Sequence, residues 1–145
     1  MITPTQDTVI RELGQYLLEG LNTAGEAYEV QVVRGLAVNT ATPYRNFPLL
    51  GVYRAGSTGE NLEISTIEII YYLGALTDLN QLEGIFRWVE LTIMKLLFAY
   101  MQEKFQCLKM TGRSPSSQYR IVRTHDNLLI PQLRLKIEVQ DNHLT

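Results

Sequence analysis

Residues Asp78–Phe105, DLNQLEGIFRWVELTIMKLLFAYMQEKF, decide how the rest of the chain must be arranged. Leu82, Ile85, Phe86, Val89, Ile93, Leu96, Leu97 and Tyr100 recur at three-and-four spacing, which predicts one amphipathic helix with this face in the core. At about 1.5 Å per residue, such a helix is a rod of about 40 Å. A second apolar row, Leu91, Met94, Phe98 and Met101 with Trp88 beside it, lies away from the first. One sheet cannot cover both rows, so the rod needs a further partner, either a second helix of this chain or a neighbouring copy. Asp78 stands where an N-cap belongs, and Glu83 and Arg87 are spaced four apart in the favourable order. The uncharged run is short: Lys95 interrupts Leu91–Phe98, and Arg87, Glu90, Glu103 and Lys104 flank it. A bilayer requires roughly 20 apolar residues, so a buried soluble helix is expected, with no membrane partner.

Immediately before this segment, EISTIEIIYYL carries apolar side chains on both faces: Ile67, Ile69, Tyr71 and Leu73 on one, Ile64, Ile70 and Tyr72 on the other. That pattern predicts a central strand covered on at least part of its second face. Phe47–Arg54 pairs with it as a hairpin, with the turn-rich AGSTGEN between them. Further back, AYEVQVVR (Ala27–Arg34) alternates Tyr28, Val30 and Val32 and reads as a strand. GLAVNTATPYRN (35–46) has no sustained period and reads as a long loop or arm. At the N-terminus, Thr3, Pro4 and Gln6 form a capping-box start. The following helix places Ile10, Leu13, Leu17 and Leu21 on one face, ends at Gly25, and is the intramolecular candidate to cover the second row of the long helix.

After the long helix, LKMTGRSPSSQY is polar and broken by Gly112 and Pro115, which predicts a loop. Tyr119–Arg123 follows as a short strand. In PQLRLKIEVQ, Leu133, Leu135, Ile137 and Val139 alternate with Arg134, Lys136, Glu138 and Gln140, the pattern of a half-buried strand. The order of elements predicts an α+β fold: a mostly antiparallel β-sheet with an N-terminal helix and one long helix packed on one face, and Arg134, Lys136 and Glu138 on the other. A length of 145 residues with no linker or repeat fits a single domain over 1–145.

Composition excludes several classes of function. With 46% apolar and 19% charged residues the chain is globular, and a net charge of -2 argues against broad nucleic-acid binding. The one cysteine, Cys107, rules out an internal disulfide and fits a reducing compartment or a particle assembled in one. MITPTQDTVI lacks the features of a signal peptide.

Sites of chemistry are sparse. Cys107, His125 and Asp126 are the one set that invites nucleophilic catalysis, but His125 and Asp126 are sequence neighbours in a turn and no signature surrounds them. Two histidines and one cysteine far apart do not make a zinc site. Glu63 and Glu68, five apart on a strand, face opposite ways. Gly56 and Gly59 precede a strand, whereas a phosphate loop leads into a helix. No catalytic, cofactor-binding or metal-ligating residue is therefore assigned, and the chain does not read as an enzyme. Arg113, Arg120 and Arg123, with Lys104 and Lys109, form the one basic cluster. It reads as solvated charge, or as contact with an acidic partner or passing DNA.

Taken together, TPTQDTVIRELGQYLLEGL, the arm, the hairpin FPLLGVYRAGSTGENLEISTIEIIYYLG, the long helix and PQLRLKIEVQ resemble, in order, size and texture, the tail terminator proteins of long-tailed bacteriophages. These are also called tail completion or head-to-tail joining proteins. The resemblance implies a structural virion protein of the tail and neck, assembled in the host cytoplasm. It implies a hexameric ring of identical copies that caps the tail tube protein and docks the head connector or stopper, with DNA passing its lumen. The family carries no catalytic residues. A ring subunit needs two different patches. The polar candidates are the hairpin tip around Arg54, Ser57 and Glu60 and the loop around Arg113 and Ser117; the apolar candidate is Leu91, Met94 and Phe98. The alternatives are another neck or baseplate adaptor, or a small α+β enzyme or ligand-binding protein using the outer sheet face.

Overall fold

A computed structural model of the chain describes residues 8–37, 47–58, 64–74, 79–104, 108–111, 115–123 and 129–141. Its elements are α1 (Thr8–Gly25), a 3-10 turn (Glu26–Tyr28), β1 (Gly35–Leu36), β2 (Leu49–Thr58), β3 (Ile64–Tyr72), α2 (Leu79–Glu103), β4 (Leu108–Met110), β5 (Ser116–Arg123) and β6 (Leu129–Asp141). The strands make one six-stranded sheet in the order β1-β2-β3-β6, with β5 and β4 both on the far side of β6. Every pair is antiparallel except β1 with β2. The fold is α+β, and both helices lie on one face.

The core forms where the sequence periods meet. Ile67, Ile69 and Tyr71 of β3 stand opposite Ile137, Leu135 and Leu133 of β6, and all six are buried beneath the helices. From above, α1 contributes Val9, Leu13, Leu17 and Leu21, and α2 contributes Phe86, Val89, Ile93, Leu97 and Tyr100. α1 sits over β2, where a Cβ on Gly14 would lie 3.6 Å from Val52. The helices touch at Gly20, where a Cβ would be 2.5 Å from Leu96, and at the Tyr16 and Tyr100 rings, 4.9 Å apart.

Four expectations need correction. Ala27–Arg34 is not a strand: Glu26–Tyr28 is a 3-10 turn and Glu29 adopts a left-handed conformation (φ 58°). Tyr28 and Val30 are exposed, whereas the adjacent Val32 and Val33 are both buried. The segment is held by isolated hydrogen bonds instead of a ladder: Val30 N–H donates to the Gly25 carbonyl at 3.1 Å, Arg34 N–H to the Pro48 carbonyl at 2.8 Å, and Val33 is clamped by a side chain. The Asn22 Nδ2 donates to the Val33 carbonyl and the Val33 N–H donates to Asn22 Oδ1, each at 2.8 Å, so the amide does for one residue what a neighbouring strand would do for several. α1 ends at Gly25 as the sequence predicts, with the glycine in a right-handed conformation (φ −71°). Its role is close approach: a Cβ there would lie 2.6 Å from the Val30 carbonyl oxygen.

The segment read as a loop after α2 contains β4 and the first half of β5. β6 is 13 residues long, so its outer edge offers backbone partners to both. Thr111 still donates to the Glu138 carbonyl (3.0 Å), and pairing resumes at Ser116 opposite Lys136. β5 is almost wholly exposed, so its polar composition reflects two wet faces and not an absence of pairing.

The third correction concerns the second row of α2. α1 meets the flank carrying Leu96 and Tyr100, leaving Leu91 45% and Phe98 53% exposed, while Met101 is buried. Two helices side by side on one sheet cover each other's flanks and not their outward faces. Fourth, β2 continues through Thr58 with a bulge between Arg54 and Gly56, so Arg54 and Ser57 belong to a strand and not to a hairpin tip. The arm (38–46), the capping box at Thr3, Asp78 and the hairpin turn (59–63) lie outside the described residues.

Candidate functional site

α2 organises the exposed surfaces, because each of its flanks presents something different. Its outward face carries Leu91 and Phe98, with Met94 half-buried at its side.

On one flank, Gly84, Ile85 and Trp88 face the segment after α1 and enclose a groove of about 430 Å³ with Tyr28, Val30 and Pro48; Val32, Tyr71, Leu73 and Val89 are deeper along it. The lining is almost entirely apolar, and Gln31 is its one amide side chain. Tyr28 and Trp88 meet edge to face at 5.9 Å across it. Tyr71 donates its hydroxyl to the Val32 carbonyl at 3.0 Å, and with the Asn22 clamp this fixes the outer wall. Burial pushes the Tyr71 hydroxyl well above its usual range, so it stays a neutral donor.

About half a turn round α2, Phe86 and Glu90 face β5. The Phe86 and Tyr119 rings are 5.3 Å apart, and the Tyr119 hydroxyl donates to Glu90 Oε2 at 2.8 Å. Glu90 Oε1 also accepts from Arg87 at 3.0 Å. Burial first, then the bond to Glu90, raises the Tyr119 hydroxyl. Beyond this anchor β5 runs clear of the helix: Ile121 is 49% and Leu129, on β6 beside it, 40% exposed, and Arg120 and Arg123 are exposed as well.

The outer sheet face is polar as expected. Arg134 Nη1 lies 3.1 Å from Glu68 Oε1, and its Nε donates to Gln132 at 3.3 Å. Thr111 donates to Glu138 at 3.0 Å, and Lys136 is exposed. The Tyr53 ring lies over Gly51, where a Cβ would be 2.5 Å from it. Burial first, then neighbouring Tyr72 and Glu68, raises the Tyr53 hydroxyl far above its ordinary value. Among the described residues no cluster of His, Cys, Asp or Glu could hold a metal ion. Nor is any helix among them long and apolar enough to cross a membrane.

The structure scatters the candidate interface residues. Arg54 stands opposite Ile67 on the helix-covered face and donates to Ser65 Oγ at 2.7 Å, so it holds the sheet end together instead of marking a tip. Ser57 is opposite Ser65 in the same ladder. Ser117 lies on exposed β5 opposite Leu135, in a strand and not a loop. Leu91 and Phe98 are exposed as a row. Glu60, Arg113, Cys107, His125 and Asp126 lie outside the described residues. The groove itself escaped sequence reasoning. Tyr28 and Val30 were assigned to one face of a strand and Ile85 to the core stripe, yet Ile85 is 37% exposed. The available signal was Gly84 beside Ile85 and Trp88, a gap in the helix surface flanked by large apolar side chains.

No family model matches the chain, and no curated protein matches it. Among solved structures, that of the bacteriophage SPP1 gp17 protein aligns over 100% of this chain and 99% of its own, at 14% identity and a TM-score of 0.42. A likeness of that size carries no function across, so the function has to be read from this chain's own surfaces.

Proposed function

We propose that the chain is a structural virion protein, the tail terminator of a long-tailed bacteriophage. Identical copies close into a ring of six that ends the tail tube and receives the head connector, with DNA passing through the lumen. The observation that carries this reading is the amount of apolar surface left uncovered around α2: the Leu91 and Phe98 row, the Tyr28–Trp88 groove and the Ile121–Leu129 edge. Monomeric proteins seldom leave several large apolar side chains wet on adjoining faces, because each buried one stabilises by about 1.5–3 kcal/mol. The sequence resemblance supplies the identity of the assembly. The ring, the tube protein and the connector are the partners this reading requires, and it calls for neither cofactor nor catalysis.

The test is function in assembly. Tail tubes grown without a terminator should elongate indefinitely; adding this protein should cap one end and render the tubes competent to join heads. Tubes that neither bind the protein nor stop growing would sink the proposal.

A further inference from the structure

Three glutamates flank the groove lining in the chain. Glu26, Glu29 and Glu83 are exposed, and each adjoins a lining residue in the chain: Gly25, Tyr28 and Val30, and Gly84 respectively. Arg87, the cation nearest along α2, is already paired with Glu90. On the opposite flank of α2 the surface has the complementary character. Ile121, Arg123 and Leu129 share one face of the β5–β6 pair, since Ile121 stands opposite Pro131 and Arg123 opposite Leu129. β5 contains two arginines and no carboxylate, and its outer edge pairs with no other strand among the described residues.

We propose that the β5 edge of one copy docks in the groove of the next. Ile121 and Leu129 enter between Tyr28, Val30, Ile85 and Trp88, and Arg123, with Arg120 adding positive charge behind it, meets Glu26, Glu29 and Glu83. Exposed apolar side chains on both partners leave water together, and opposite charges beside them set the register. The contact uses two different surfaces on opposite flanks of one helix. Each docked copy therefore keeps a free groove or a free edge, and the series ends only when it closes on itself. The inference rests on the ring reading and names the surfaces that would build the ring. A small apolar ligand in the groove would account for neither the flanking glutamates nor the bare basic edge.

Trp88 is the single tryptophan and lies in the groove wall, so the unmodified protein reports on the contact. Dilution across the assembly midpoint should shift its emission to the red and expose it to acrylamide. A second measurement uses a Cys107→Ser background, with Val30→Cys in one preparation and Ile121→Cys in another. Oxidation should give a disulfide-linked pair on mixing and none in either preparation alone. Arg123→Glu should move the assembly midpoint at least tenfold, and Glu26→Arg with Glu29→Arg should restore it. If assemblies of ring mass form while Trp88 emission stays unchanged and no mixed disulfide appears, this docking is wrong and the ring uses other surfaces. If the protein stays a monomer at every concentration, the ring reading fails and this contact with it.

Discussion

Replacing Asn22 by alanine should destabilise the protein out of proportion to the half-buried side chain it removes. Asn22 is the clamp that holds Val33, making two 2.8 Å hydrogen bonds to that residue's N–H and carbonyl. Val33 is 1% exposed, so both backbone groups lose their partner where water reaches poorly. A buried donor or acceptor left unsatisfied costs about 1–3 kcal/mol. Partial access through the Asn22 position limits the two together to about 2–4 kcal/mol, which for a chain of this size lowers Tm by about 5–15 °C. Asn22→Asp should do no better than alanine, because its second oxygen would face the Val33 carbonyl in place of a donor. Thermal unfolding by circular dichroism measures the first effect. Trp88 emission measures loosening of the groove wall that the clamp supports. A melting temperature within about 1 °C of wild type, the result usual for a surface substitution, would refute the claim that one amide replaces strand pairing here.

Val89→Asp places a charge at a site 1% exposed and should abolish cooperative folding, since an unpaired buried charge costs several kcal/mol; Leu96→Asp, at the half-buried helix contact, should be milder, and equal melting of the two would show the core stripe misassigned. Gly51→Ala forces the Tyr53 ring off the outer sheet face and should cost about 1–3 kcal/mol as overpacking does, read from the urea midpoint. Burial raises the Tyr71 and Tyr53 hydroxyls above their ordinary 10, so above that pH the native state holds protons that the unfolded chain has lost. Stability should therefore decline from about pH 10 upward, and Tyr71→Phe should flatten that decline while losing the bond to Val32 at neutral pH; an unchanged alkaline slope in Tyr71→Phe would contradict it.

What the sequence shows about this molecule follows from periodicity, and what it hides follows from exceptions to periodicity. The two faces of β3, the strict alternation of β6 and the Phe86–Tyr100 stripe were legible because each side chain's burial follows from its place in a repeating backbone. The stretch from Ala27 to Arg34 was misread because the alternation of Tyr28, Val30 and Val32 imitates a strand. The structure there depends on one left-handed residue, Glu29, and one amide eleven positions away from the residue it holds. β5 was half hidden for the opposite reason: an edge strand wet on both faces has no apolar period to detect. The outward row Leu91 and Phe98 was visible as surplus, but its exposure was not, since which flank of α2 receives α1 is settled by the close approach at Gly20. The groove is made where three elements fail to close, so α2 alone shows only its gap at Gly84 and not the wall that Tyr28 and Val30 supply.

The most direct test of the account is the mass of the purified protein in solution across a range of concentrations. Light scattering after size exclusion should show a species of six chain masses that dissociates on dilution, and negative-stain images of the same fraction should show rings with an open centre. A single chain mass at all concentrations, with the Leu91, Phe98 and Trp88 surfaces still wet, would contradict the account.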